Sequence, residues 1–136
     1  PRLVATRLNR LMLEDFQVDQ YFTLAYAEVD LSTGIFALTQ AGHPHPMVLR
    51  KGGAIDVLGE GGMPIGLFEG AVYEQVTGVL QPGDRLLLTS DGVTECPDAA
   101  GAELGGEGLE RMLSANAALP SADLLEALVR CSSTLQ

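Results

Sequence analysis

The chain has 136 residues and a formal net charge of −10 at pH 7, from 18 acidic against 8 basic side chains. That balance excludes a polyanionic partner such as nucleic acid, whose phosphates are held mainly by Lys and Arg. A hydrophobic fraction of 46% describes an ordered globular chain with room for one domain and a real core, and no apolar run is long enough to cross a bilayer.

Residues 2–15 place Val4, Leu8, Leu11 and Met12 on one face, with Arg7, Asn9, Arg10 and Glu14 mostly away from it. This is an amphipathic helix with no N-cap residue before it, as if the chain began inside a helix. After a polar link, residues 21–30 are aromatic-rich and read as a strand. Ser32-Thr33-Gly34 turns the chain into a return strand at 35–40, a hairpin. Ala41-Gly42-His43-Pro44-His45-Pro46 is a stiff loop holding both histidines. A His pair at i, i+2 suits metal ligation or general acid chemistry, and equally a packed turn with a ring bonded to backbone.

Residues 47–50 and 54–58 form a second predicted hairpin about Lys51-Gly52-Gly53. The Gly-rich stretch 59–66 carries neither phosphate-loop pattern, and 72–80 is a further strand. Pro82-Gly83 is a tight turn, followed by Leu86-Leu87-Leu88, the pattern of a strand buried on both faces. Asp91 and Gly92 stand where that strand should emerge. A carboxylate so placed suits a hard cation such as Mg²⁺ or Mn²⁺, and the same residues read as a plain Asp-Gly turn.

Residues 96–104 are an acidic surface loop. Residues 107–118 form a helix with Leu109, Met112 and Leu113 together. A last helix starts at Pro120-Ser121, with Ser121 as N-cap and Leu124, Leu125, Leu128 and Val129 on one face. Cys96 and Cys131 lack C-x-x-C spacing and fit a reducing cytoplasm. One helix, about six strands and two helices make an α+β domain.

The ordered motifs carry a resemblance. Leu8-Asn9, Phe22-Thr23, Asp30 before Gly34, Ala41-Gly42-His43-Pro44, Pro64-Ile65-Gly66-Leu67, Pro82-Gly83-Asp84, Ser90-Asp91-Gly92-Val93-Thr94-Glu95 and Gly105 before Leu109 run in one series along nearly the whole chain. The chain resembles the metal-dependent serine/threonine protein phosphatases (PPM family), in the bacterial branch of sporulation stage II protein E and the stress-sigma-factor regulators. The resemblance implies an α-β-β-α sandwich of two antiparallel sheets with outer helices, and two Mn²⁺ or Mg²⁺ ions activating a water against a phosphoserine or phosphothreonine. It implies Asp91 as catalytic metal ligand, His43 and Gly92 as substrate-side or structural residues, and a structural role for Asp84.

The implied substrate is a phosphoserine regulatory protein of the anti-anti-sigma type. The implied setting is the cytoplasm, with a sensor or receiver domain upstream, no nucleic acid, no membrane, and a homodimer as an option. The family's upstream Gly-Asp and Asp-x-x-Gly-His-Gly boxes and its terminal Asp-Asp pair have no match here, and neither Asp98 nor Asp123 takes that role. Residues 1–136 are therefore expected to be part of one phosphatase domain. A non-catalytic interaction module that kept the sandwich and lost its metal site is the alternative.

Overall fold

The structure, a computed structural model, describes residues 1–15, 21–95 and 101–133, without the side chains of Asp15, Asp91 and residues 129–133. The predicted loop at 96–104 therefore lies partly outside the described residues. Contacts divide the chain into two units, Pro1–Pro46 with Val57–Gln81, and Met47–Asp56 with Pro82–Gln136.

The first unit is built on an antiparallel sheet of order β1-β2-β5, from β1 (Leu24–Val29), β2 (Ile35–Ala41) and β5 (Val76–Val79). The central strand β2 is the most buried, since it has a neighbour on each side. The β1–β2 turn is closed by Asp30, whose carboxylate accepts from the Ser32 hydroxyl at 2.6 Å and amide at 2.9 Å. Gly34 takes φ 79°, and a Cβ there would stand 2.2 Å from the Leu80 carbonyl oxygen, so only glycine fits. Gly78 lies opposite Phe36 in the register, and the missing side chain leaves room for that ring.

Helix α1 (Arg2–Arg10) packs on this sheet and runs on as a wider π turn, Leu11–Asp15. Its buried face differs from the expected one. Ala5, Leu8 and Met12 meet Ala41, Ile65, Tyr73 and Leu24, whereas Leu11 is exposed and Asn9 is buried. Widening to π-helical spacing at Leu11 rotates that side chain off the seam that a 3.6-residue period assigns it. Two predicted strands are shorter than expected. Of 21–30, the ladder keeps Leu24–Val29, with Phe22 bridging Ile65 instead. Of 72–80, only Val76–Val79 pairs, because Tyr73 is drawn into the core and donates its hydroxyl to the Pro64 carbonyl at 3.2 Å.

The second unit has an antiparallel sheet of order β4-β3-β6, from β3 (Met47–Leu49), β4 (Ile55–Val57) and β6 (Arg85–Leu87). Helices α3 (Gly105–Ala115) and α4 (Ser121–Ser133) cover it through Leu109, Leu113, Leu124 and Leu128, which meet Met47 and Leu49. The fully buried apolar run is Met47-Val48-Leu49, in the centre. Residues 86–88 do not form the expected doubly buried strand: β6 is half-buried at the sheet edge and Leu88 is 44% exposed. An apolar run marks burial, and only the neighbour count of the folded sheet says which run takes the middle. On α4, Leu125 points outward at 54% exposure. Ser121 is the first helical residue and not the cap, since the Pro120 carbonyl accepts the first helical bond from Leu124.

Arg50 ties this unit's two turns together. Its Nη1 donates to Asp84 at 2.8 Å and its Nε to Asp56 at 2.8 Å, while the Lys51 amide donates to Asp84 at 2.9 Å. The bond to Asp84, then that to Asp56, raises the guanidinium pKa above its ordinary value. The Asp84 side chain is 4% exposed and that of Asp56 53%. Burial makes the first contact matter more, because screening weakens the second.

Asp84→Asn is expected to lower unfolding free energy by about 1.5–3 kcal/mol, the range for a hydrogen bond to a charged group. Asp56→Asn should cost less than about 1 kcal/mol. Urea unfolding of both variants checks the order, and equal losses would contradict it. The Asp30 carboxyl is held below its ordinary pKa, first by the Ser32 hydroxyl and then by the Ser32 amide. A depressed carboxyl stabilises the fold above its unfolded value of about 3.9 and loses that contribution as pH falls through the lower folded value. An NMR titration of Asp30 should give a midpoint below that of a free aspartate, with the Ser32 amide moving in step.

Candidate functional site

Asp91 is the first residue of a short helix, α2 (Asp91–Thr94), four residues beyond the end of β6. The expected strand-end turn is thus a helical turn, opened by the Val93 amide donating to the Ser90 carbonyl at 3.2 Å. Val93 packs against the core of the second unit and anchors α2 against α3 and α4. Asp91 therefore starts from backbone fixed on one side by β6 and on the other by the half-buried Val93. Gly92 is exposed, and a Cβ added there would meet only Ser90 Oγ, at an ordinary 3.7 Å. The local backbone does not require its lack of a side chain.

His43 lies in the first unit, in the loop after β2. Its ring is half-buried and its Nδ1 is 3.2 Å from Thr23 Oγ1. Its backbone carbonyl accepts from Gln40 Nε2, and Gln40 Oε1 accepts from the Gly61 amide at 2.9 Å. Gln40 is 7% exposed, so both ends of its amide need these partners. The Gly-rich loop closes on it: the Gly42 amide donates to Gly61 at 2.7 Å, and a Cβ on Gly62, at φ 69°, would fall 2.3 Å from the Gln40 carbonyl oxygen. The other histidine is used differently. His45 Nδ1 lies 2.9 Å from the Leu58 carbonyl, a backbone-bonded ring in an exposed position.

Asn9 is the residue that helical patterning missed, because a polar side chain counts toward solvent. It is 4% exposed; its Nδ2 donates to the Phe68 carbonyl at 2.9 Å and its Oδ1 accepts from the Gly66 amide at 2.8 Å. It joins α1 to Pro64-Ile65-Gly66-Leu67, and Ile65 is in turn paired with Phe22, next to Thr23. Motif order was the one signal for it, since Leu8-Asn9 opens the series read above.

Asp91 and Gly92 are neighbours in the second unit, and His43 belongs to the first. Among the described residues no three His, Cys, Asp or Glu side chains come together as a set of metal donors. The described side chains by themselves do not fit a divalent cation, which needs several oxygen donors beyond its waters. No helix among them is long and apolar enough to cross a membrane.

The family model for stage II sporulation protein E (SpoIIE) matches residues 1–136. The chain belongs to the SpoIIE family. This SpoIIE-family chain is 31% identical over 97 residues to phosphoserine phosphatase RsbU of Bacillus subtilis, a match covering 71% of the chain and 29% of RsbU. Among solved structures it is similar to the SiaA-PP2C domain of Pseudomonas aeruginosa, with a TM-score of 0.81 at 19% identity, over 98% of this chain and 53% of that one. It is similar also to the phosphatase domain of SpoIIE from Bacillus subtilis, with a TM-score of 0.63 at 21% identity, over 94% and 57%. The fold is that of these phosphatase domains, and its two antiparallel three-stranded sheets with helices agree with the expected class. The chain spans less than a third of the curated relative's length.

Asn9→Ala should destabilise the fold by about 1–3 kcal/mol for each backbone group left buried without a partner, Gly66 N–H and Phe68 C=O. Arg10→Ala, on the exposed side of the same helix, should stay within about 0.5 kcal/mol. Thermal unfolding of the two variants checks the contrast, and an Asn9→Ala protein as stable as the wild type would contradict it.

Proposed function

We propose that this chain is part of the catalytic domain of a metal-dependent protein serine/threonine phosphatase, which removes phosphate from a phosphoserine regulatory protein in bacterial signalling. The observation that carries this reading is the family match along all 136 residues, joined by likeness to a protein named a phosphoserine phosphatase. The substrate is of the anti-anti-sigma type, the setting is cytoplasmic, and a sensor or receiver domain upstream controls turnover.

Asp91 is the residue this reading makes essential. Mn²⁺ or Mg²⁺ is the cofactor it gives the intact protein, with Asp91 as one ligand; such an ion, when bound, supplies a more acidic water and offsets phosphoryl charge. The chain's own part is to hold Asp91 on the β6–α2 connection, with Val93 as anchor. His43, on the loop that Gln40 fixes, is a substrate-side or structural residue in this reading. Asp84 keeps a structural role through Arg50 and Lys51.

A second reading is an interaction module without catalysis, since the family's upstream Gly-Asp and Asp-x-x-Gly-His-Gly boxes have no match in this sequence. The two readings part at Asp91. In the intact protein, Asp91→Asn keeps the shape and one acceptor oxygen and removes the charge. Turnover of a phosphoserine protein at saturating Mn²⁺ should fall by about 100-fold or more, the scale of losing one preorganised electrostatic group. The circular dichroism spectrum and unfolding midpoint should not fall. Turnover within a few-fold of wild type would remove Asp91 from the site and leave the module reading in front.

A further inference from the structure

Helix α1 has an outward face that the interior of the first unit does not use. Leu3, Arg7, Arg10 and Leu11 are exposed on it, Leu3 at 63% and Leu11 at 41%. Helical spacing brings Leu3, Arg7 and Arg10 into one stripe. Leu11 joins them where the π turn begins, and the core beneath is filled by Ala5, Leu8 and Met12 without it. On an acidic chain this face is basic. Three of the eight basic residues fall in the first ten positions, and the first acid is Glu14. Neither Arg7 nor Arg10 has an ion-pair partner among the described residues. Beside the stripe a cavity of about 240 Å³ opens, with Thr6, Arg10, Leu13 and Glu14 on the helix side and Glu69 opposite.

From this we infer that the outward face of α1 is a docking surface for an acidic amphipathic helix of a partner protein. Charge complementarity names the occupant. A net charge of −10 repels acidic partners from most of the surface, and the two unpaired arginines mark where one can approach. Leu3 and Leu11 stand eight residues apart, about 12 Å along the axis, the two-turn spacing at which a second helix repeats its apolar face. A basic face with apolar residues also suits an anionic membrane. Glu14 and Glu69 weigh against that, because a flat bilayer would meet them together with the arginines, whereas a helix can present a base to them. None of these residues belongs to the phosphatase site, so the inference stands apart from that reading.

The experiment is fluorescence anisotropy of a labelled synthetic helix, with leucine and glutamate on one face, titrated with the intact protein. The expected result is saturable binding that weakens as salt is raised, because exposed charge pairs are screened. Arg7→Glu combined with Arg10→Glu should weaken it about 10-fold or more, as two attractive pairs turn repulsive. Leu11→Ser should weaken it about 3- to 10-fold through lost apolar contact. Circular dichroism checks that each variant is folded. If the reversed pair does not fold, Arg7→Gln with Arg10→Gln takes its place, with a loss of about 3-fold. No saturable binding overturns the inference. So does equal binding by the charge-altered protein, or equal binding of a peptide of the same composition in scrambled order. Binding of phosphatidylglycerol vesicles in preference to the peptide overturns it in favour of a membrane surface. Asp91→Asn should leave peptide binding unchanged, which keeps the outcome separate from that of the phosphatase reading.

Discussion

A primary amide buried between two loops has to satisfy both of its ends, and in the first unit that constraint falls on Gln40. Its Nε2 is bonded to the His43 carbonyl and its Oε1 to the Gly61 amide. An unmade bond at either end would cost about 1–3 kcal/mol, so the loop after β2 and the Gly-rich loop hold each other in place. The glycines follow from this. Gly62 is there because the backbone passes so close to Gln40 that a Cβ has no space. Asn9 repeats the device from the helix side, spanning Gly66 and Phe68 with the two ends of its own amide. A small, exposed set of loops is thereby held by interior polar bonds and not by apolar packing alone.

The second unit solves the same problem with charge. Arg50 reaches from the end of β3 to Asp84 in the turn that opens β6, and the Lys51 amide adds a second bond to that carboxylate. Arg85, at the start of β6, donates from Nη2 to the carbonyls of Ala117 and Leu119 at 2.9 and 2.7 Å, which fixes the link between α3 and α4. The strand leading to Asp91 is thus pinned at its beginning by polar contacts, and α2 is pinned after it by Val93 in the apolar core. This is how a half-buried edge strand can present the backbone at Asp91 with little freedom. Rigidity comes from what its two ends touch.

Much of this was legible in the sequence. The two hairpins, the helix about Leu109 and Leu113 and the last helix follow from periodicity and turn residues, because local sterics and amphipathicity decide them. The failures have one common cause: they depend on neighbours distant in sequence. Leu86-Leu87-Leu88 and Met47-Val48-Leu49 carry the same apolar signal, and sheet order alone puts the second in the centre. Tyr73 leaves its predicted strand because Pro64 and the α1 cluster offer it a buried place. Asn9 looked like a surface residue, since a pattern of polar and apolar positions cannot show a polar group satisfied by backbone across the fold. Motif order supplied what periodicity could not, for Leu8-Asn9 and Pro64-Ile65-Gly66-Leu67 belong to one series and touch in the structure.

We propose that the intact protein of this SpoIIE-family chain hydrolyses a phosphoserine ester with a divalent cation. The most direct measurement is release of inorganic phosphate from a purified anti-anti-sigma-type phosphoserine protein by the intact protein, with Mn²⁺ and then with excess chelator. The expected result is stoichiometric, multiple-turnover release with Mn²⁺ that stops on chelation and resumes when the ion is restored. Stable binding of the phosphoprotein with no release at any Mn²⁺ concentration would contradict it.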